Sequence, residues 1–200
     1  MPLWDSSFSP LSKTPGVIDW FTIIIGLISV VTLAIHGANW IILKTNSSIN
    51  QKLKGVIFKL NIVLAALTIF SLVVWQIVNP NSLDNYADTP YLLVFPLIYL
   101  TGLIGLFFIK RIKKEIYGFV LSTLLILGGI TSSLASIFPV ILPSINDVHE
   151  PLTIYNTTTS KYGLSVAFTW GIIGCILIII YLIIQKRLTR GKIDKMDYGH

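Results

Sequence analysis

A chain of 200 residues that is 54% hydrophobic, 12% charged and has a mean hydropathy of +0.77 is too apolar to be a soluble domain. Its net charge of +6 does not mark a nucleic-acid binder, because the basic residues sit in the segments between apolar runs and in the tail. An integral membrane protein is expected.

Five apolar runs are long enough to cross the hydrocarbon core, which takes about 20 helical residues at roughly 1.5 Å each. They are Val17–Leu43, Gly55–Val78, Pro90–Ile109, Ile116–Ile141 and Tyr162–Ile184. All five carry the Leu, Ile and Val runs of helices and lack the period-2 alternation of a membrane barrel. The expected fold is an all-α bundle of five transmembrane helices, with residues 1–200 as a single domain. The opening Met1–Gly16 has no basic n-region and no small-residue cleavage site, so the first helix is expected to direct insertion without a signal peptide.

In the first span Thr22, Gly26, Ser29, Thr32, His36 and Asn39 recur at spacings of three and four, which gathers them on one helical face. Small and hydroxylated residues let membrane helices approach and hydrogen-bond, so that face is expected to meet protein. In the second span Asn61, Thr68, Ser71 and Trp75 form a comparable line. The third opens on Pro90, which suits a first helical turn, and Pro96 is expected to bend it. The fourth repeats the small-residue face with Gly118, Ser122, Gly129, Ser133 and Ser136, and Pro139 and Pro143 are expected to kink and then end it. The loop Leu142–Lys161 is rich in Thr, Tyr and Asn and suggests an ordered lid. The fifth span carries Ala167, Gly171 and Cys175; this single cysteine has no internal disulfide partner.

Of the 15 basic residues, 13 lie on one side, in alternate connections, in the tail and, for Lys59, just inside the second span, leaving only Lys13 and Lys161 on the other side. The positive-inside rule then places the N-terminus outside and the C-terminus in the cytoplasm. Lys110, Arg111, Lys113 and Lys114 suit either topology signalling or anionic lipid headgroups.

His36 is the only histidine within a span, and an ionisable side chain in hydrocarbon is a functional candidate. It lies eight residues before Lys44, roughly 12 Å along the axis from that end. Haem ligation, a proton relay and a quinone contact are the sharp readings. A neutral imidazole hydrogen-bonded to a neighbouring helix is the plainer and favoured one. A second axial haem donor is hard to find, since His149 is in a loop, His200 is terminal and the methionines are Met1 and Met196. Metal binding is not expected without a cluster of three or four ligands. Asp19 starts the first helix, where a carboxylate favours the dipole, with Trp20 in the interfacial aromatic belt. No carboxylate lies deeper in any span.

The stretches PGVIDWFTIIIGL and HGANWIILKT, then FPVILPS at Phe138–Ser144 and LTIYNTTTSKYGL at Leu152–Leu164, resemble in order and spacing the C-terminal half of subunit II of bacterial cytochrome bd-type quinol oxidases. HGANW, which holds His36, Asn39 and Trp40, matches a stretch of that subunit. The resemblance implies a haem-free partner of a subunit I that carries haem b and haem d, oxidises quinol near the outer face and reduces oxygen with cytoplasmic protons. It also implies a role in assembly and, as in some relatives, a structural quinone. No cofactor is expected on this chain alone. The expected setting is the bacterial cytoplasmic membrane, with subunit I and membrane lipids as partners and no nucleic acid. A full-length subunit II would carry another bundle before MPLWDSSF, so this chain is expected to be a split subunit or a fragment that needs the missing bundle. The rival readings are a small multispan transporter, which would show inverted repeats and broken helices, or a scaffold of another membrane complex.

Overall fold

The computed structural model describes residues 20–45, 49–78, 83–142, 152–157, 160–188 and 191. Six α-helices occur among them: α1 Trp20–Lys44, α2 Ile49–Val78, α3 Asp84–Asp88, α4 Val94–Phe107, α5 Glu115–Ile137 and α6 Lys161–Leu188. Five helical segments are long and apolar enough to cross a membrane: Phe21–Lys44, Ile49–Ile77, Pro90–Phe107, Glu115–Ile137 and Lys161–Leu188. Helices are the form this composition must take, because hydrocarbon offers backbone N–H and C=O groups no partner outside their own segment. The all-α membrane fold read from the sequence is the fold found.

The chain forms two compact units, residues 1–138 and 139–200. In the first, α4 packs along α5, α1 along α2 and α5, and α2 against α4, which closes four spans into a ring. Ile35, Ile42, Ile57, Leu64, Leu106 and Leu125 are fully buried at its centre. Glycines set the spacing of α4 and α5. A Cβ on Gly102 would lie 2.7 Å from the Leu121 carbonyl oxygen, and one on Gly105 would meet the Leu121 side chain. A Cβ on Gly128 would collide with the backbone of Tyr99. Such contacts suit a membrane, where helices associate through close van der Waals packing instead of water exclusion.

Proline acts differently from the sequence expectation at two places. Pro96 does not bend a formed helix: residues Pro90–Leu93 are a 3₁₀ turn and the α-helix begins at Val94, so Pro96 falls in its first turn. The ring would clash with the carbonyl four residues back, and the 3₁₀ turn avoids that clash. Pro139 does not kink α5 but stops it, since the helix ends at Ile137 and Phe138 is extended, as the residue before a proline prefers. Pro143 lies outside the described residues.

At the α5 end, Asn85 of α3 donates through Nδ2 to the carbonyls of Ala135 at 3.0 Å and Ser136 at 3.2 Å, and also to that of Phe138. One amide thus satisfies carbonyls that a helix C-terminus leaves without internal donors. Tyr86 beside it donates to the Ser132 carbonyl at 2.7 Å.

In the second unit, β1 Val140–Leu142 pairs antiparallel with β2 Leu152–Thr153, setting Val140 opposite Thr153. This ribbon was not expected from the sequence; it pairs the start of the Leu142–Lys161 loop with its middle, and residues 143–151 and 158–159 of that loop lie outside the described residues. Ser160 caps α6, its hydroxyl accepting from Gly163 N–H at 3.3 Å, and Lys186 and Arg187 occupy the last turn, where cations favour the helix dipole.

Candidate functional site

The polar interior of the first unit is built around α1. Position 36 falls one turn after Thr32 and one before Trp40, so the three lie along one side of the helix. The His36 imidazole reaches α5, where Nδ1 is 2.9 Å from the Ser122 hydroxyl oxygen. That hydroxyl donates its own proton to the Phe119 carbonyl at 2.9 Å. Its oxygen is therefore an acceptor, and His36 serves as the donor through Nδ1–H. A neutral imidazole donating in this way keeps its lone pair on Nε2. The Phe119 ring packs on His36 with centroids 4.7 Å apart and on Trp40 at 5.5 Å. Lys44 extends the line, its ammonium 5.1 Å from the Trp40 ring.

Asn39 lies on the inner side of the same turn, fully buried, and donates to the Ile35 carbonyl at 3.0 Å. Its amide oxygen sits where a Cβ on Gly118 would come within 2.5 Å, so this glycine makes room for the asparagine. Two sequence candidates, His36 and Asn39, thus face the same helix, and Trp40 reaches it through Phe119. Trp20 begins α1, and Asp19 lies outside the described residues. The small-residue face expected on the first span is buried only in its second half: Thr32 and Asn39 are covered, whereas Thr22, Gly26 and Ser29 are exposed. Ile24, Ile35, Ala38 and Ile42 supply the rest of the buried stripe.

A second polar layer lies between α2 and α4. Asn61 is 0% exposed and donates to the Leu103 carbonyl at 3.0 Å, while its Oδ1 has no partner among the described residues. Thr68 gives its proton to the Leu64 carbonyl at 2.8 Å, so the Tyr99 hydroxyl, 2.7 Å away, donates to Thr68. The line of Asn61, Thr68 and Ser71 read from the sequence does face protein.

A third cluster closes the end where α1, α2 and α5 meet. Thr45 donates to Asn50 Oδ1 at 2.8 Å, and Asn50 Nδ2 donates to Glu115 at 3.2 Å and to the Thr45 carbonyl at 2.8 Å. Lys54 donates to the Ile112 carbonyl at 2.9 Å. Phe119, Asn50, Tyr99 and Asn85 were not singled out from the sequence. Only Asn85 carried a usable signal, an amide in a short polar segment just before a proline-led helix.

Among the described residues no three His, Cys, Asp or Glu side chains come together as a metal site. For haem, Nε2 of His36 would be the donor atom, but no second histidine or methionine lies among the described residues to complete a bis-axial pair. In these layers His36, Asn61 and Tyr99 tie one helix to another, and Asn39 and Thr68 bond to the backbone of their own helices.

The fold and its polar layers define a polytopic helical membrane protein whose buried polar side chains serve helix association. The particular family follows from comparison: residues 5–188 match the cytochrome bd terminal oxidase subunit II model, and the chain belongs to that family. It is also 24% identical over 200 aligned positions to the probable cytochrome oxidase subunit 2 of Haemophilus influenzae, an alignment that covers 87% of this chain and 53% of that protein. The chain spans about half the length of the curated relative it matches.

Proposed function

We propose that this chain is a haem-free, non-catalytic component of a cytochrome bd-type quinol:oxygen oxidoreductase in a bacterial cytoplasmic membrane. Its five spans act as the second bundle of a two-bundle subunit II, with the N-terminus outside and the C-terminus in the cytoplasm. It supports the assembly and stability of subunit I, which carries haem b and haem d, oxidises quinol and reduces oxygen to water. A structural quinone belongs to the same proposal.

The observation that carries this reading is the family match over residues 5–188. The interior of the first unit agrees with it, because His36 engages a serine on a neighbouring helix and the buried amides of Asn39 and Asn61 bond to backbone carbonyls. Those are the contacts of a structural subunit. Chromosomal deletion tests the proposal: membranes of the deletion strain should lose the haem d absorption band and the quinol oxidase activity it reports, and the wild-type chain should restore both. A deletion strain that keeps both would overturn the proposal.

A further inference from the structure

The connection between α4 and α5 is wound into turns, with Arg111 N–H donating to the Phe108 carbonyl at 2.8 Å and Ile112 N–H to the Ile109 carbonyl at 3.3 Å. Two lysines from different elements are fixed at this connection. Lys54 of α2 donates through Nζ to the Ile112 carbonyl at 2.9 Å. Lys110, three residues past the end of α4, holds its ammonium 4.3 Å from the centroid of the Phe58 ring, and Phe58 meets Phe107 edge-on with centroids 6.2 Å apart. Lys54 and Phe58 are four residues apart on α2 and so share one side of it, while Lys110 and Ile112 are two apart in the connection. The two contacts therefore hold both cations at one junction, where the apolar run of α2 begins and that of α4 ends.

Both contacts are made to neutral groups. A carbonyl dipole and an aromatic face fix where an ammonium sits without cancelling its charge, and an ammonium has three donors, more than one carbonyl engages. Along the seam from this junction the surface turns apolar: Ile62 lies one turn past Phe58 on α2, Ile104 and Leu100 lie one and two turns before Phe107 on α4, and all three are exposed. Fixed cations at the end of two spans, with an exposed apolar seam running away from them, complement a molecule that carries a phosphate anion on hydrocarbon tails.

We propose that Lys54 and Lys110, the latter set by the Phe58 ring, form a binding site for the headgroup of an anionic phospholipid whose acyl chains lie along the α2–α4 seam over Ile62, Ile104 and Leu100. The ring makes the site specific, because it holds Lys110 in one place as a loose basic loop would not. The site rests on this chain's own contacts and not on the oxidase reading.

The test uses the full chain, with whatever partners it retains, purified in mild detergent and titrated with phosphatidylglycerol or phosphatidylcholine. Native mass spectrometry gives the affinity for the first lipid bound. Wild type should prefer phosphatidylglycerol, and soluble glycerol 3-phosphate at the same concentration should not displace it. Lys54→Gln with Lys110→Gln should weaken phosphatidylglycerol binding on the order of 30-fold, at about 1 kcal/mol per cation near the surface. Lys110→Gln alone disturbs no hydrogen bond between helices and should weaken it about 5-fold on the same scale, which keeps the test open if the Lys54 variant misfolds. Phe58→Leu should also weaken binding although every charge is kept. Lys52→Gln with Lys59→Gln removes the same charge from exposed positions on a different side of α2 and should leave the affinity nearly unchanged. Equal losses in the two double variants would show diffuse attraction and overturn the site, as would an unaffected Phe58→Leu, a wild type without preference, or displacement by glycerol 3-phosphate. Unchanged circular dichroism and elution volume establish that each variant is folded.

Discussion

Nδ1 of His36 on α1 and the hydroxyl of Ser122 on α5 are 2.9 Å apart, a side-chain hydrogen bond that crosses from one helix to the other. Interhelical hydrogen bonds in membranes contribute about 0.6 kcal/mol on average and up to about 2 kcal/mol. Ser122→Ala should therefore lower thermal stability of the purified chain by that order, and His36→Leu should lower it by as much or more. On the oxidase reading, His36→Leu reduces the amount of assembled haem protein while turnover per assembled haem is kept. Haem content and quinol oxidase rate, measured on the same membranes, separate the two; normal haem content with lost turnover would assign His36 a direct part in the chemistry.

Glycine substitutions should divide by what their Cβ meets. Gly128→Ala drives a methyl into the Tyr99 backbone and Gly102→Ala into the Leu121 carbonyl, neither of which yields without parting α4 from α5. Losses of at least about 2 kcal/mol, the upper range for overpacking, are expected, seen as poor accumulation and early aggregation on heating. Gly26→Ala and Gly37→Ala meet nothing within 4 Å and lie in helix α1. They should be neutral or stabilising by up to about 1 kcal/mol, the helix-propensity difference between the two residues. Thermal aggregation temperatures of the four variants give the comparison.

At the α5 terminus the sign of charge decides. Asn85→Ala leaves carbonyls of Ala135, Ser136 and Phe138 without their shared donor and should cost about 1–2 kcal/mol. Asn85→Asp is nearly isosteric but replaces the donor by a carboxylate facing the negative end of a helix. It should be worse than alanine at pH 7 and approach the asparagine chain only as acid protonates it. A melting series from pH 7 to pH 4 tests the order, and an aspartate as benign as alanine at pH 7 would show that the amide does not act as a donor.

Tyr99→Phe removes a hydroxyl that donates to Thr68 and leaves the ring in place. Because Thr68 keeps its bond to Leu64, the loss should stay near about 1 kcal/mol, well below the 2–5 kcal/mol typical of Leu106→Ala at a fully buried position. Denaturation midpoints of the two variants in one detergent settle the ranking.

The spans were legible because length and hydropathy alone decide whether a helix can cross a bilayer, and every sequence-read run has its helix within a few residues. Ends were less legible. Asn50 and Lys54 extend α2 ahead of Gly55 by finding partners in Thr45, Glu115 and Ile112, contacts that only the fold brings together. The face of α1 was half right for a similar reason. Periodicity places His36 and Asn39 on one side, but which side is covered depends on where α2 and α5 lie. Ser122 was visible as a small residue at the right spacing, whereas Phe119 looked like one apolar residue among many, and its place between His36 and Trp40 exists only in three dimensions.

The central claim is membership of a working oxidase, and purification of the tagged chain from its own host in mild detergent tests it most directly. A dithionite-reduced minus oxidised spectrum of that preparation should show haem b and haem d bands, with a larger haem-bearing chain identified by mass spectrometry. A haem-free preparation from membranes that themselves display the haem d band would contradict the account.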